Sequence, residues 1–253
     1  MWRSQPPVDP ALRRAFLDAR RRRQVERFDT LFAPTYDRDW GAISPSHDAS
    51  VRRLLELTRP QGTVLDAACG AGKYWPLVLG SGRTVVGVDQ SIEMLRAAAA
   101  KHPEVPAARI GLQELPFDGL FDAVMCVDAM EYIGPEEWPP VLAGLRDAAR
   151  PGAFLYLTVE LADEQEVRRE YEAARSAGEP VVPGESLEGG GYHFYPEPDA
   201  VHAWLDEAGL ERIDEHDGDY YRHFLLRRPP QARGPAARTG SRRLRRSQSA
   251  AVV

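Results

Sequence analysis

Short β-branched runs alternate with helical patterns between residues 63 and 160, and this alternation restricts the folds that the chain can adopt. The runs are Thr63–Asp66, Thr84–Asp89, Arg109–Leu112, Phe121–Val127 and Ala153–Glu160. They are separated by helical stretches at Lys73–Leu79, Ser91–Lys101 and Glu136–Ala149. Strands that alternate with helices at this spacing predict βαβ units and a mainly parallel sheet covered on both faces.

The rhythm changes after the fifth run. The pattern there predicts a charged helix at Asp163–Ala177 and a Pro/Gly-rich loop at Gly178–Gly191. An amphipathic helix follows at Pro198–Ala208, and two strands follow at Glu211–His216 and Tyr220–Arg227. Asp217 and Gly218 between the last two strands are a hairpin signal. We therefore predict an α/β fold with a doubly wound, seven-stranded, mostly parallel sheet and a C-terminal antiparallel hairpin.

Three regions are expected along the chain. Residues 1–59 form a helical lead-in, in which Tyr36–His47 is a loop and Val51–Thr58 a short helix. Residues 60–228 form the α/β core. Residues 229–253 contain six Arg, no acidic residue and almost no large apolar side chain, so we expect this tail to be disordered.

Charge and composition exclude several classes of function. The formal net charge is −6, and residues 1–228, without the Arg-rich tail, carry about −12. This negative charge disfavours nucleic-acid binding by residues 1–228. The tail is a candidate for nucleic-acid binding, although a run of charges that is merely solvated is commoner.

The absence of a long apolar run and of a secretory pattern predicts a cytoplasmic protein. Cys69 and Cys126 build neither a disulfide framework nor a zinc site, so no metal is expected.

The segment Val64–Gly72 reads as a buried strand that enters a small-residue turn before a helix. Such a turn lets the backbone approach a ligand, although it is equally consistent with a tight strand-to-helix connection. A dinucleotide fingerprint would need a third glycine where Trp75 stands. A phosphate-binding P-loop would need glycine at Ala67 and a hydroxyl residue at Tyr74. Neither pattern is met.

The same segment, VLDAACGAG, resembles the first motif of class I S-adenosylmethionine (SAM)-dependent methyltransferases, VLDxGCGTG, with Ala68 and Ala71 replacing the usual Gly and Thr. Four further motifs of that family follow in order. They are TVVGVD ending in Asp89, GLQELPF from Gly111, FDAVMCVDAMEY from Phe121 and RPGAFL from Arg150. The resemblance covers about residues 60–160 and is closest to small-molecule methyltransferases of types 11 and 25.

The resemblance implies SAM as the cofactor and assigns roles to individual residues. Asp89 would accept hydrogen bonds from the ribose hydroxyls, Leu112 and Gln113 would contact adenine, and Asp66 would suit the methionine ammonium. The full expected cofactor set is Tyr36, Asp66, Ala67, Cys69, Gly70, Gly72, Asp89, Gln90, Met94, Leu112, Gln113 and Asp128. Tyr36 and Trp40 would form a lid over the cofactor, and residues 161–195 a cap over the substrate.

Asp128 and His193 are the candidate catalytic residues. Asp128 follows the fourth strand, where it would orient or deprotonate an acceptor or else cap the next turn. His193 lies among aromatic residues of the cap, as a general base or as a packed ring. Glu131 is expected to hold the loop in place.

We therefore predict methyl transfer to an O or N atom of a small-molecule acceptor. A SAM-binding protein without catalysis, and an RNA-associated methyltransferase that uses the basic tail, remain alternatives.

Overall fold

The computed structural model describes residues 8–231 and contains the seven-stranded sheet that the sequence predicts. Its strands in chain order are β1 (Thr63–Ala67), β2 (Thr84–Asp89), β3 (Ala107–Arg109), β4 (Phe121–Cys126), β5 (Ala149–Glu160), β8 (Glu211–Gly218) and β9 (Tyr221–Arg227). A separate antiparallel pair, β6 (Glu185–Ser186) and β7 (His193–Phe194), lies in the connection after β5. The order across the large sheet is β3-β2-β1-β4-β5-β9-β8.

The first five strands are parallel, and β9 and β8 extend the sheet in antiparallel fashion. The expected fold class is thereby confirmed. Eight α-helices are described: α1 (Pro10–Arg27), α2 (Tyr36–Trp40), α3 (Pro45–Leu57), α4 (Trp75–Gly80), α5 (Ile92–Lys101), α6 (Trp138–Ala148), α7 (Glu164–Ser176) and α8 (Pro198–Glu207). A π-helical turn, Phe28–Phe32, follows α1. None of the helices within residues 8–231 is long and apolar enough to cross a membrane.

Two apolar cores, one on each face of the sheet, hold the layers together. One contains Trp138 and Leu142 of α6 and Leu205 of α8, all fully buried. The other contains Leu54 of α3 and Trp75 of α4. Cover on both faces explains why the central strands β1 and β4 read as continuous apolar runs rather than as alternating ones.

Trp75 packs closely on β2 despite its size, because glycine faces it. A Cβ added at Gly87 would overlap the Trp75 ring and would lie 2.9 Å from Sγ of Cys69. A Cβ at Gly72 would lie 2.8 Å from the same ring. The two glycines thus leave the space that a fully buried indole needs at the start of α4.

Several predicted boundaries differ from the structure. The stretch expected to be a loop, Tyr36–His47, contains α2 and the start of α3, because Pro45 occupies the first turn of a helix, where its missing N–H costs nothing. The third strand lies at Ala107–Arg109, and Leu112 belongs to a 3₁₀ turn.

Two further boundaries lie near the C-terminus. The hairpin turn is at Asp219 and Tyr220 rather than at Asp217-Gly218, because Gly218 still pairs with Tyr221 and both turn residues have positive φ. The loop expected at Gly178–Gly191 contains β6. Most of the predicted disordered tail, residues 232–253, lies outside the described residues.

Candidate active site

A cleft opens at the carboxyl ends of β1, β2 and β4. This edge of an open parallel sheet is where such folds bind ligands. Eight of the residues expected to bind the cofactor line it: Tyr36, Gly70, Asp89, Gln90, Met94, Leu112, Gln113 and Asp128. Eight further residues line it as well: Phe28, Ala68, Ile110, Gly111, Val127, Ala129, Tyr132 and Ile133.

The turn after β1 forms one wall of the cleft. Ala68, Gly70 and Gly72 all have positive φ, of 61°, 51° and 74°, a conformation that favours small residues without a branched Cβ. The Cys69 N–H donates to the carbonyl of Val88, which ties the turn to β2. Because the side chains of this turn are short, its backbone is accessible to a ligand in the cleft.

Asp89 connects this turn to the end of β2. Its Oδ2 accepts a hydrogen bond from the N–H of Gly70 at 2.8 Å, and its Oδ1 accepts one from the N–H of Ser91 at 2.7 Å. Burial raises the pKa of Asp89, while these backbone donors act in the opposite direction. Each carboxylate oxygen has a second lone pair, so the group retains acceptor capacity for a ligand in the cleft.

Four residues of the expected cofactor set, Asp66, Ala67, Cys69 and Gly72, are not among the residues that line the cleft. Asp66 is 1% exposed, and its Oδ2 accepts a hydrogen bond from Nε1 of Trp75 at 3.0 Å. The Cys69 thiol points to Gly87 of β2. Asp66 points into the core from β1, and the Cys69 side chain points from the turn toward β2, so neither faces the cleft.

The N-terminal segment contributes one aromatic residue of the proposed lid to the cleft. Tyr36 lines the cleft, and Phe28 from the π-helical turn lies beside it. Phe28 also packs edge-on against Tyr132, with ring centroids 5.4 Å apart. Trp40, the other aromatic expected in the lid, is 58% exposed and does not line the cleft.

Asp128 lies at the mouth of the cleft in a left-handed conformation, with φ of 53°. Its N–H donates to Oγ1 of the buried Thr158 on β5, at 2.9 Å, and this bond fixes the turn after β4. Nζ of Lys73 lies 3.8 Å from Oδ2. Desolvation raises the pKa of Asp128, and the Lys73 charge opposes that shift.

His47 is a neighbour of Asp128 that sequence analysis did not identify. Its Nε2 lies 3.3 Å from Oδ1 of Asp128, in a geometry that does not satisfy a hydrogen bond. Its Nδ1 lies 3.2 Å from the hydroxyl of Tyr74. Burial, with smaller effects from His223 and Lys73, lowers the pKa of His47 to about 4, so the ring is neutral at pH 7.

His193, the other candidate catalytic residue, lies in the β6–β7 hairpin rather than in the lining of the cleft. Its ring packs against Tyr132 and Tyr195, at centroid distances of 5.1 and 6.0 Å. Glu131 lies in the 3₁₀ turn Met130–Tyr132 and is 3% exposed. Its Oε2 has no hydrogen-bond partner among the described residues.

A buried ionic network attaches the hairpin to α1. The Arg13 guanidinium donates to both carboxylate oxygens of Glu185, at 2.7 and 2.9 Å, and to those of Glu136, each at 2.9 Å. The Tyr192 hydroxyl donates to Oε1 of Glu185 at 2.6 Å. Glu185 is fully buried, so this network holds the segment after β5 against the N-terminal helix.

Within the described residues, no group of His, Cys, Asp and Glu side chains is arranged to hold a metal ion. Both cysteines are free and buried. Burial raises the pKa of each thiol well above its usual value, so neither has the character of a nucleophile.

Comparisons with known proteins agree with this geometry. A family model described as a methyltransferase domain matches residues 64–152. An uncharacterised methyltransferase of Synechocystis sp. is 31% identical over 99 residues, which are 39% of this chain and 47% of that protein. A demethylmenaquinone methyltransferase of Mycolicibacterium vanbaalenii is 33% identical over 137 residues, which are 53% of this chain and 54% of the relative. The chain thus spans about half the length of these curated relatives.

Among solved structures, the magnesium protoporphyrin IX methyltransferase of Synechocystis with bound S-adenosylhomocysteine (SAH) is similar, with a TM-score of 0.58 and 19% identity over 80% of this chain and 96% of that one. At that identity the likeness shows the fold alone. Three observations point to the same fold: the matched domain, the strand order, and five motifs that occur in the order typical of that family. Residues 64–152 therefore form a methyltransferase domain, and the described part of the chain has the fold of class I SAM-dependent methyltransferases.

Proposed function

We propose that the protein transfers a methyl group from SAM to an oxygen or nitrogen atom of a small-molecule acceptor. The observation that carries the proposal is the cleft at the ends of β1, β2 and β4, where Gly70, Asp89 and Gln113 meet. These residues come from three separate motifs of the family.

The polar groups of the cleft fit the sugar of SAM. An ionised carboxylate has about four acceptor positions, and Asp89 uses two of them on the N–H groups of Gly70 and Ser91. The positions that remain suit the two neighbouring hydroxyls of a ribose. A charged acceptor strengthens such hydrogen bonds.

The apolar groups fit a purine ring and a thioether chain. Met94, Ile110 and Leu112 provide apolar contact surface at the β2–β3 side, and Ala68 and Ala129 leave room at the β1–β4 side. When bound, SAM supplies an electrophilic methyl group on its sulfonium. Displacement at that carbon needs an aligned acceptor, so the protein contributes chiefly by positioning.

Asp128 is the proposed group that orients the acceptor. Its carboxylate lies at the mouth of the cleft beside His47 and Lys73. A carboxyl whose pKa is raised by burial is also better suited to accept a proton from a protonated acceptor. The β6–β7 hairpin, in the connection after β5, is the proposed cap on this side.

Calorimetric titration with SAM and with SAH tests the proposal, and one site per chain is expected. Asp89→Ala should weaken the binding free energy of SAM by roughly 1.5–3 kcal/mol, the range for hydrogen bonds to a charged group. Asp118→Ala, at an exposed position outside the cleft, is the matched control and should bind normally. Absence of binding by either compound would overturn the assignment of the cofactor.

A methyl-transfer screen over small amines, phenols and carboxylates then tests catalysis. Tight SAM binding without transfer to any compound would favour the non-catalytic alternative. Methylation of RNA that depends on the Arg-rich tail, residues 229–253, would favour the RNA-associated alternative.

A further inference from the structure

Three carboxyl residues lie at the carboxyl ends of β4 and β5, next to the cofactor cleft. Asp128 and Glu131 follow β4, and Glu160 is the last residue of β5. The Asp128 N–H is bound to Thr158, which lies two residues before Glu160 and therefore on the same side of the strand. Burial raises the pKa of Glu131 well above its usual value, and the charges of Glu160 and Asp128 raise it further. We call Asp128, Glu131 and Glu160 the carboxylate cluster.

Within the carboxylate cluster Glu131 is buried, Asp128 and Glu160 are half-buried, and each has an oxygen that lacks a hydrogen-bond partner among the described residues. Glu131 is 3% exposed. Oε2 of Glu131, Oε2 of Glu160 and Oδ1 of Asp128 are each buried without a hydrogen-bond partner among the described residues. Nζ of Lys73 lies 3.8 Å from Oδ2 of Asp128, and Nε2 of His47 lies 3.3 Å from Oδ1 in a geometry that does not satisfy a hydrogen bond. Buried polar atoms without partners are rare and costly, and three in one place indicate a missing donor.

Aromatic residues surround the same space. Tyr221 pairs directly with Glu160 across β5 and β9, so the two side chains share one face of the sheet. Tyr195, in the segment after β7, hydrogen-bonds Glu160. Burial raises the pKa of both hydroxyls, and the charges of Glu131 and Glu160 raise it further. Carboxylates among aromatic faces form a favourable site for an organic cation.

We propose that Glu131 and Glu160, with Asp128 on the cofactor side, bind a positively charged amine of the methyl acceptor. The inference rests on the proposed function, since it identifies the acceptor class of that site. An ammonium group supplies N–H donors for the unpartnered oxygens and neutralises the charge that burial disfavours. A neutral alcohol supplies one donor and no charge, and a carboxylate is repelled.

The test measures binding of methylammonium, histamine and tyramine at constant ionic strength, by calorimetry and NMR, with and without SAH. Each amine is compared with its alcohol counterpart: methanol, 2-(imidazol-4-yl)ethanol and tyrosol. At least one amine should bind more tightly than its alcohol. Glu131→Gln should lower the affinity for that amine by about 10-fold to 100-fold, as expected for the loss of a charged hydrogen bond. Glu172→Gln, at an exposed position of α7, should leave it unchanged.

A ligand-free measurement separates this role from a structural one. If Glu131 serves binding, then Glu131→Gln replaces a buried ionisable carboxyl by a neutral amide and should leave the melting temperature of the free protein unchanged or raised. A clearly lowered melting temperature would overturn the proposal, as would amines that bind no better than alcohols or equally well to Glu131→Gln. SAH binding by Glu131→Gln should be normal. Failure of the wild-type protein to bind SAM or SAH would instead contradict the proposed function.

Discussion

Asp66 is held in the core at a position where its ionised form is disfavoured. Burial raises its pKa to about 7, although the hydrogen bond from Trp75 opposes the shift. In the unfolded chain an aspartate has a pKa of about 3.9. Between these two values the folded protein retains a proton that the unfolded chain has released. The free energy of unfolding contributed by this group therefore falls as the pH rises from about 4 to about 7.

Asp66→Asn should remove this dependence. Asparagine keeps an acceptor for the Trp75 indole and never ionises. At pH 8 the variant should be more stable than the parent protein by an amount on the order of 3–4 kcal/mol, and at pH 5 by clearly less. Urea denaturation at both pH values measures the difference, with Asp118→Asn as an exposed control. An equal difference at the two pH values would show that ionisation of Asp66 is not the cause.

Residues that carry a motif could be predicted from the sequence, and residues brought in by the fold could not. Gly70 and Asp89 follow strands in a recognisable spacing, and both line the cleft. His47 and Lys73 have no such spacing to Asp128, and only the packing of α3 and α4 onto the sheet brings them beside it. Glu160 and Tyr221 likewise meet through strand pairing between distant parts of the chain.

At the scale of elements, the short helix α2 brings Tyr36 to the cleft. Tyr36→Ala should weaken the binding free energy of SAM by roughly 1.5–3 kcal/mol, the range for a large apolar side chain that loses burial. The free energy of unfolding of the ligand-free protein should barely change. Calorimetry with SAM and urea denaturation of the same variant measure both quantities. Trp40→Ala should change neither, because Trp40 is exposed outside the cleft.

The contrasting possibility is that Tyr36 packs the N-terminal segment onto the sheet. Its truncation would then lower the free energy of unfolding by about 3–5 kcal/mol, as for other buried aromatic residues. Normal SAM affinity in such a destabilised variant would refute the lid.

Elements were predicted well where a strong apolar pattern marks them. The strands β1, β2 and β4 begin at the predicted residues, because buried parallel strands need unbroken β-branched or apolar runs. Short and polar elements were missed. The helix α2 has only five residues and three of them are charged, so no apolar period indicates it.

At the scale of the whole molecule, Arg13 links parts of the chain that are far apart in sequence. Arg13→Met should lower the free energy of unfolding by about 3–5 kcal/mol, because it leaves the buried Glu185 carboxylate without its cation. Urea denaturation measures the loss. Arg14→Met, on the exposed side of α1, should change stability by less than about 0.5 kcal/mol.

A second substitution distinguishes charge from packing at this site. Glu185→Gln in the Arg13→Met background removes the uncompensated charge and should recover part of the lost stability. If the double variant is no more stable than Arg13→Met, the network does not act through that charge. The network was not predictable from the sequence, since neither residue belongs to a motif and they are separated by 172 positions.

The place of β9 in the sheet affects how the protein forms on the ribosome. The last strand in sequence lies between β5 and β8 rather than at an edge. The backbone groups along one side of β5 therefore have no partner strand until residues through Arg227 have left the exit tunnel. The open edge of Phe154–Glu160, seven residues that later pair with β9, is a site for association between nascent chains. We therefore expect yield in a cell to depend on chaperone supply during this interval of translation.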